Sequence, residues 1–158
     1  IAIDLAERNH LSLGIVGGRR DIQADLVNAV RTGNPDVNLT LSSHGYLSYQ
    51  ELSELVLLKT PDVLLLGLGS PKQELYAARL LADGYRGFTV PCGGALDILS
   101  GHKKRAPAAI QSLGLEAPYR LFHEPHRWRR YSKLIPFGLR LLLAYVYAYV
   151  GSRRWQSF

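Results

Sequence analysis

The chain has 158 residues, of which 47% are hydrophobic and 20% charged, so it is long enough for one core and too apolar for a globally disordered segment. Its single cysteine, Cys92, excludes an internal disulfide and a cysteine-based zinc site, which fits a reducing compartment. The net charge of +6 is unevenly placed: residues 1–101 hold 8 Lys/Arg against 11 Asp/Glu, whereas residues 102–158 hold 11 Lys/Arg against only Glu116 and Glu124. A basic second part points to a polyanionic partner such as a membrane surface, a pyrophosphate or a nucleic acid.

In chain order, residues 1–10 read as a short amphipathic helix. The opening Ile1-Ala2-Ile3-Asp4-Leu5 resembles the middle of a helix, and there is neither an initiator Met nor a signal peptide, so a fragment preceded by further chain is expected. Four units then repeat an apolar run, a glycine-bearing turn and a helix. Leu13 to Val16 runs into Gly17-Gly18 and a helix near 20–32. Val37 to Leu41 runs into Ser42-Ser43-His44-Gly45-Tyr46 and a helix near 48–59. Asp62 to Leu66 runs into Gly67-Leu68-Gly69 and a helix near 71–82. Phe88 to Pro91 runs into Gly93-Gly94 and a short helix ending near Gly101. Alternating strands and helices predict an α/β, Rossmann-like parallel sheet with right-handed crossovers. The near-continuous apolar runs fit strands buried on both faces. All four turns then fall at the carboxyl ends of the strands, where open α/β sheets bind ligands.

After Gly101 the texture changes to arginines interleaved with aromatics, including Tyr119-Arg120, Phe122 and Arg127-Trp128-Arg129-Arg130-Tyr131. The chain therefore divides into a domain over 1–101 and a helical, basic appendage over 102–158. The apolar stretch 134–150 is broken by Pro136, Gly138 and Arg140. Its part after Pro136 spans roughly 21 Å as a helix, short of the ~30 Å hydrocarbon core. With tyrosines and flanking basic residues it reads as an interfacial helix.

The chemistry concentrates at Gly69-Ser70-Pro71-Lys72-Gln73-Glu74. Helix starts collect unpaired backbone N–H groups and the positive dipole end, so they suit phosphate. Ser70 as N-cap, Pro71 at N1 and Gln73 closing a capping box explain the same residues without a ligand. Local chemistry leaves both open. In the ligand reading, Lys72 and backbone amides meet phosphate, and Gln73 or Glu74 meets a sugar hydroxyl. Gly17-Gly18-Arg19-Arg20 is neither a dinucleotide fingerprint nor a P-loop; it offers close backbone approach plus two cations, and a tight turn with solvated arginines is slightly favoured over that reading. Asp97, after Gly93-Gly94, either compensates a helix dipole or accepts hydrogen bonds from sugar hydroxyls. His123 and His126 lack a third ligand for zinc. Cys92 reads as a small buried thiol. Arg105, Arg120, Arg127, Arg129 and Arg130 suit bidentate phosphate recognition, and the aromatics interleaved with them weaken the alternative of a solvated basic face.

Together these residues resemble the WecG/TagA/CpsF family of bacterial glycosyltransferases (glycosyltransferase family 26). The matching stretches are Leu68-Gly69-Ser70-Pro71-Lys72-Gln73-Glu74, Gly93-Gly94-Ala95-Leu96-Asp97, Gly101, Arg105-Ala106-Pro107, Gly114-Leu115-Glu116, Tyr119-Arg120-Leu121, Glu124-Pro125, and Arg127 with Arg130-Tyr131. Gly17-Gly18 and Gly45-Tyr46 match more weakly. Where the family has Trp after Gly-Leu-Glu, this chain has Ala117-Pro118.

The resemblance implies transfer of an N-acetylmannosamine-type sugar from a UDP-sugar to a polyprenyl-diphosphate-linked sugar, for teichoic acid, common antigen, capsule or exopolysaccharide. It implies inverting chemistry with no cofactor and no metal, at the inner face of the plasma membrane. Gly17, Gly18, Gly45, Tyr46, Gly69, Pro71, Lys72, Gln73, Glu74, Gly93, Gly94 and Asp97 would line or shape the donor pocket, and Arg105, Arg120, Arg127 and Arg130 would face the diphosphates. The catalytic base is expected on an Asp in a part of the family that has no counterpart here. A nucleic-acid partner is not implied, and a homo-oligomer stays open. Two alternatives remain: a non-catalytic nucleotide-sugar-binding module, and a basic nucleic-acid-binding protein.

Overall fold

The structure is a computed structural model that describes residues 1–103 and 106–114, together with positions 119, 136, 140, 141, 144 and 145. The chain divides into two compact units, Ile1–Arg105 and Ala106–Phe158. In the second unit the described helix is α6 (Ala108–Ser112), which starts after Pro107. Most of the basic helical appendage expected over 102–158 lies outside the described residues, including the arginines at 105, 120, 127 and 130, His123, His126 and twelve of the seventeen positions in 134–150.

The first unit is an α/β sheet built from α1 (Ala2–Arg8), β1 (Ser12–Gly17), a 3₁₀ turn (Arg20–Ile22), α2 (Gln23–Gly33), β2 (Asn38–Ser43), α3 (Tyr49–Lys59), β3 (Val63–Gly67), α4 (Lys72–Ala82), β4 (Phe88–Pro91) and α5 (Ala95–Leu99). The four strands are parallel in the order β2-β1-β3-β4. The predicted Rossmann-like α/β class is the one observed.

Period-two alternation sends each central strand's side chains to two different cores. Leu13 and Ile15 of β1, with Val63 and Leu65 of β3, pack with Ala6, Leu26, Val30 and Leu96 from α1, α2 and α5. Val16, Leu64 and Leu66 pack with Leu52, Val56 and Leu80 from α3 and α4. Each fully buried leucine contributes about 1.5–3 kcal/mol relative to exposure. Burial on both faces holds for β1 and β3 but not for the outer strands. β2 buries Leu41 alone, and Phe88 of β4 stays exposed. A strand with one sheet neighbour and partial helix cover alternates between core and solvent instead.

Helix starts follow local chemistry. In α3, the Ser48 hydroxyl accepts the Glu51 N–H while the Glu51 carboxylate accepts the Ser48 N–H, a full capping box. The capping box expected at Ser70 and Gln73 is not formed. Helix α4 begins at Lys72 with Pro71 in the cap position and no side-chain cap. The reason is visible in the partners: the Gly69 carbonyl takes the Gln73 N–H at 3.1 Å, and the Gln73 side chain points elsewhere. Ser42 and Ser43, expected in a turn, extend β2 through pairing with Ile15 and Val16.

Candidate functional site

The strand order places the topological switch between β1 and β3, because the chain leaves β1 toward β2 on one side and returns to β3 on the other. Loops leaving the carboxyl ends of such neighbours diverge and open a crevice. A pocket of roughly 270 Å³ lies there, lined by Gly18, Arg19, Gly45, Tyr46, Gly67, Leu68, Gly69, Gly93, Gly94 and Asp97. All four strand-to-helix loops contribute.

The loops are tied to one another by the main chain. Gly45 N–H donates to the Gly18 carbonyl at 2.9 Å, joining the β2 loop to the β1 loop. Cys92 N–H donates to the Leu66 carbonyl at 2.8 Å, carrying the β3–β4 ladder to the pocket wall. Two side-chain braces complete the frame. The Gln23 amide donates to the Gly17 carbonyl at 2.7 Å and the Arg19 carbonyl at 3.3 Å, while its oxygen accepts from the Ser42 hydroxyl. Gln73, buried at 7% exposure, accepts the Gly93 N–H at 3.0 Å and donates to Glu74 at 3.0 Å.

At Gly67 and the adjoining Gly17 nothing larger than glycine fits. A Cβ on Gly67 would sit 2.5 Å from Leu96 Cδ1 and 2.9 Å from the Gly93 carbonyl oxygen. A Cβ on Gly17, whose φ is +155°, would lie 2.6 Å from Gly67 Cα.

Four side chains reach the pocket. Asp97 pairs with Lys103 Nζ at 3.0 Å, and Lys103 N–H returns to the Asp97 carbonyl at 2.9 Å. One oxygen of Asp97, a residue of the pocket lining, is thereby fixed. Arg19 is held by Asp21 through a two-point fork from Nε and Nη2. That partner raises the guanidinium's pKa and depresses the carboxyl's, through hydrogen bonding first. Tyr46 is largely exposed, and its N–H donates to His44 Nδ1 at 3.2 Å. Leu68 is the aliphatic residue of the lining.

Of the twelve residues expected to line or shape a donor pocket, the structure brings Gly18, Gly45, Tyr46, Gly69, Gly93, Gly94 and Asp97 into its lining. Gly17 abuts the floor, and Gln73 acts through Gly93. Pro71 occupies the α4 cap. Glu74 receives the Gln73 amide. Lys72 is not brought in: its Nζ donates to the Leu47 carbonyl at 3.3 Å and sits 5.0 Å from the Tyr76 ring centroid. Sequence reasoning missed Gly67 and Leu68 as lining residues, though both directly follow the apolar run. It set Arg19 aside as solvated. Gln23 and Lys103 carry no local signal, because their roles exist only once the loops meet. Among the described residues no group of three metal-ligating side chains forms. No helix among them is long and apolar enough to cross a membrane.

The glycosyl transferase WecG/TagA/CpsF family matches residues 2–150. The chain belongs to this family. It is 30% identical over 129 residues to an N-acetylglucosaminyldiphosphoundecaprenol N-acetyl-β-D-mannosaminyltransferase of Bacillus spizizenii, covering 81% of this chain and 50% of that protein. It is 26% identical over 141 residues to an enzyme of the same name from Bacillus subtilis, covering 89% of this chain and 55% of the relative. The chain thus spans about half the length of these WecG/TagA/CpsF relatives.

Proposed function

We propose that this chain forms the donor-binding part of a glycosyltransferase that moves an N-acetylmannosamine-type sugar from a UDP-sugar to a polyprenyl-diphosphate-linked sugar. The observation that carries this reading is the pocket at the β1/β3 switch, framed by backbone groups of four loops and edged by Asp97. Glycine turns let a diphosphate approach the main chain closely, and a carboxylate such as that of Asp97 suits sugar hydroxyls. The names of the relatives supply the sugar and the lipid-linked acceptor.

In the reaction, an acceptor hydroxyl oxygen bonds to the donor's anomeric carbon as the bond from that carbon to the diphosphate oxygen breaks. The hydroxyl proton passes to a base, and UDP leaves with the bonding electrons. We assign no base within this chain. Its role is to hold and orient the donor and to stabilise the charge of the departing diphosphate. The basic appendage, with Arg105, Arg120, Arg127 and Arg130, would meet the diphosphates and the inner membrane face.

The test is turnover by the full gene product with UDP-N-acetylmannosamine and lipid-linked N-acetylglucosamine, with and without EDTA. We expect product under both conditions. Absence of turnover across a UDP-sugar panel overturns the transferase reading, and complete loss with EDTA overturns the metal-free one. Liposome flotation with and without residues 102–158 tests membrane docking, and equal flotation of the two forms overturns it.

A further inference from the structure

Arg19 is the one cation that lines the pocket among the described residues. Lys72 is engaged with Leu47 and Tyr76, and Lys103 with Asp97. The position of Arg19 is also determined from two directions. Its carbonyl is held by the Gln23 amide, so the backbone of the β1 loop is fixed. Its guanidinium is held by Asp21, which occupies the Nε/Nη2 edge.

A guanidinium has five N–H donors arranged along two edges. With one edge taken by Asp21, the Nη1/Nη2 edge remains for a second anion, and a planar two-point edge matches two oxygens of a phosphate. The Asp21 pair also fixes the plane of that edge before any ligand arrives, which lowers the ordering cost of binding. The lining holds one cationic residue, Arg19, and one anionic residue, Asp97. A nucleotide diphosphate sugar carries the matching pair, phosphates next to hydroxyls.

We propose that Arg19, oriented by Asp21, is a diphosphate-binding residue of the donor site. This rests on the donor-site reading above. It assigns to the β1 loop a contact distinct from the arginines at 105, 120, 127 and 130, and reverses the view of Arg19 as a solvated side chain. The neighbouring Arg20 is exposed and absent from the pocket lining, so it supplies a control with the same change of charge.

The experiment is calorimetric titration of the full chain with UDP at several salt concentrations, for wild type, R19A, R19K and R20A, with thermal unfolding to check each fold. We expect R19A to weaken UDP binding by about tenfold or more, with R19K between it and wild type, because a lysine keeps charge but loses the two-point edge. We expect R20A to stay within about twofold of wild type, and the salt dependence of binding to flatten in R19A. If R19A binds UDP no more weakly than R20A, or keeps the wild-type salt dependence, the proposal is overturned. If the wild-type chain does not bind UDP at all, the donor-site reading falls and this inference with it, an outcome distinct from tight wild-type binding that R19A leaves unchanged.

Discussion

The side-chain oxygen of Gln73 accepts the backbone N–H of Gly93 across 3.0 Å, linking the start of α4 to the turn after β4. Two loops twenty residues apart in the chain are thereby set at one spacing, and both line the same pocket. Gln73 belongs to the family-like Pro71-Lys72-Gln73-Glu74 stretch, yet its observed partners are within the protein.

Replacing Gln73 with Ala leaves a partly buried N–H without this acceptor. We expect a loss of about 1–3 kcal/mol in stability, read from urea unfolding. UDP affinity measured on the folded variant should also drop, because the Gly93-Gly94 turn loses its brace. Retention of both wild-type stability and wild-type affinity would falsify the bracing role.

Two glycines should respond in opposite directions. Gly67→Ala drives a methyl to 2.5 Å from Leu96 Cδ1, and Leu96 is itself buried, so relief is restricted. We expect a cost of about 1–3 kcal/mol, with UDP binding impaired. At the end of α2, a Cβ on Gly33 meets nothing within 4 Å. Gly33→Ala should stabilise by about 0.4–1 kcal/mol through the unfolded chain. Paired thermal melts decide both.

Alkaline pH should weaken the fold in two overlapping steps. Burial raises the Cys92 thiol from 9.0 to about 11 and the Tyr85 phenol from 10.0 to about 12. Above its unfolded pKa each group is ionised in the unfolded chain and still protonated in the folded one, so the unfolded state gains with rising pH. Stability is full below pH 9 and falls from there to about pH 12. Cys92→Ala should delay the onset toward pH 10, where Tyr85 begins. At pH 8.5, alkylation of Cys92 in the native chain should be on the order of a hundredfold slower than in urea.

At the other edge of the sheet, Ser12 and Asp62 are interlocked. The Ser12 N–H and hydroxyl donate to Asp62 Oδ2 at 2.8 and 2.5 Å, and the Asp62 N–H returns to the Ser12 hydroxyl at 2.9 Å. These bonds, the Ser12 hydroxyl first, hold the Asp62 carboxyl below its ordinary 3.8. A depressed carboxyl stabilises the fold above that value, and the contribution is lost as pH falls through the folded pKa. Ser12→Ala should flatten the acid limb of the urea-midpoint profile below about pH 4. An unchanged acid limb would count against the Ser12–Asp62 pair as its source.

What the sequence makes legible follows from the range of each interaction. The runs at Leu13–Val16 and Val63–Leu66 are near-continuous because both faces of β1 and β3 are covered, so the strands and their carboxyl-edge turns can be read locally, whereas the strand order is set by pairings between distant segments. Gly18, Gly45, Gly69, Gly93, Gly94 and Asp97 could be placed at one edge for the same reason. The missed features depend on which loop faces which. Lys72 follows a glycine turn at a helix start, but a carbonyl at Leu47 and a ring at Tyr76 draw it away. Ser70 has the chemistry of a cap, but the Gly69 carbonyl already holds the Gln73 amide. Gln23 and Lys103 look like ordinary surface residues until Gly17 and Asp97 are set beside them.

Six of the ten lining residues are glycines, which leaves Arg19, Tyr46, Leu68 and Asp97 as the variable surface among the described residues. Main-chain atoms cannot be exchanged by point mutation. Any attempt to retune ligand preference from within this wall therefore has a library of four positions, small enough to be searched exhaustively. Of the glycine positions, Gly67 has no room for a Cβ beside Leu96 and the Gly93 carbonyl, and Gly18, Gly69 and Gly93 hold the positive φ that favours glycine, so these four are best left constant.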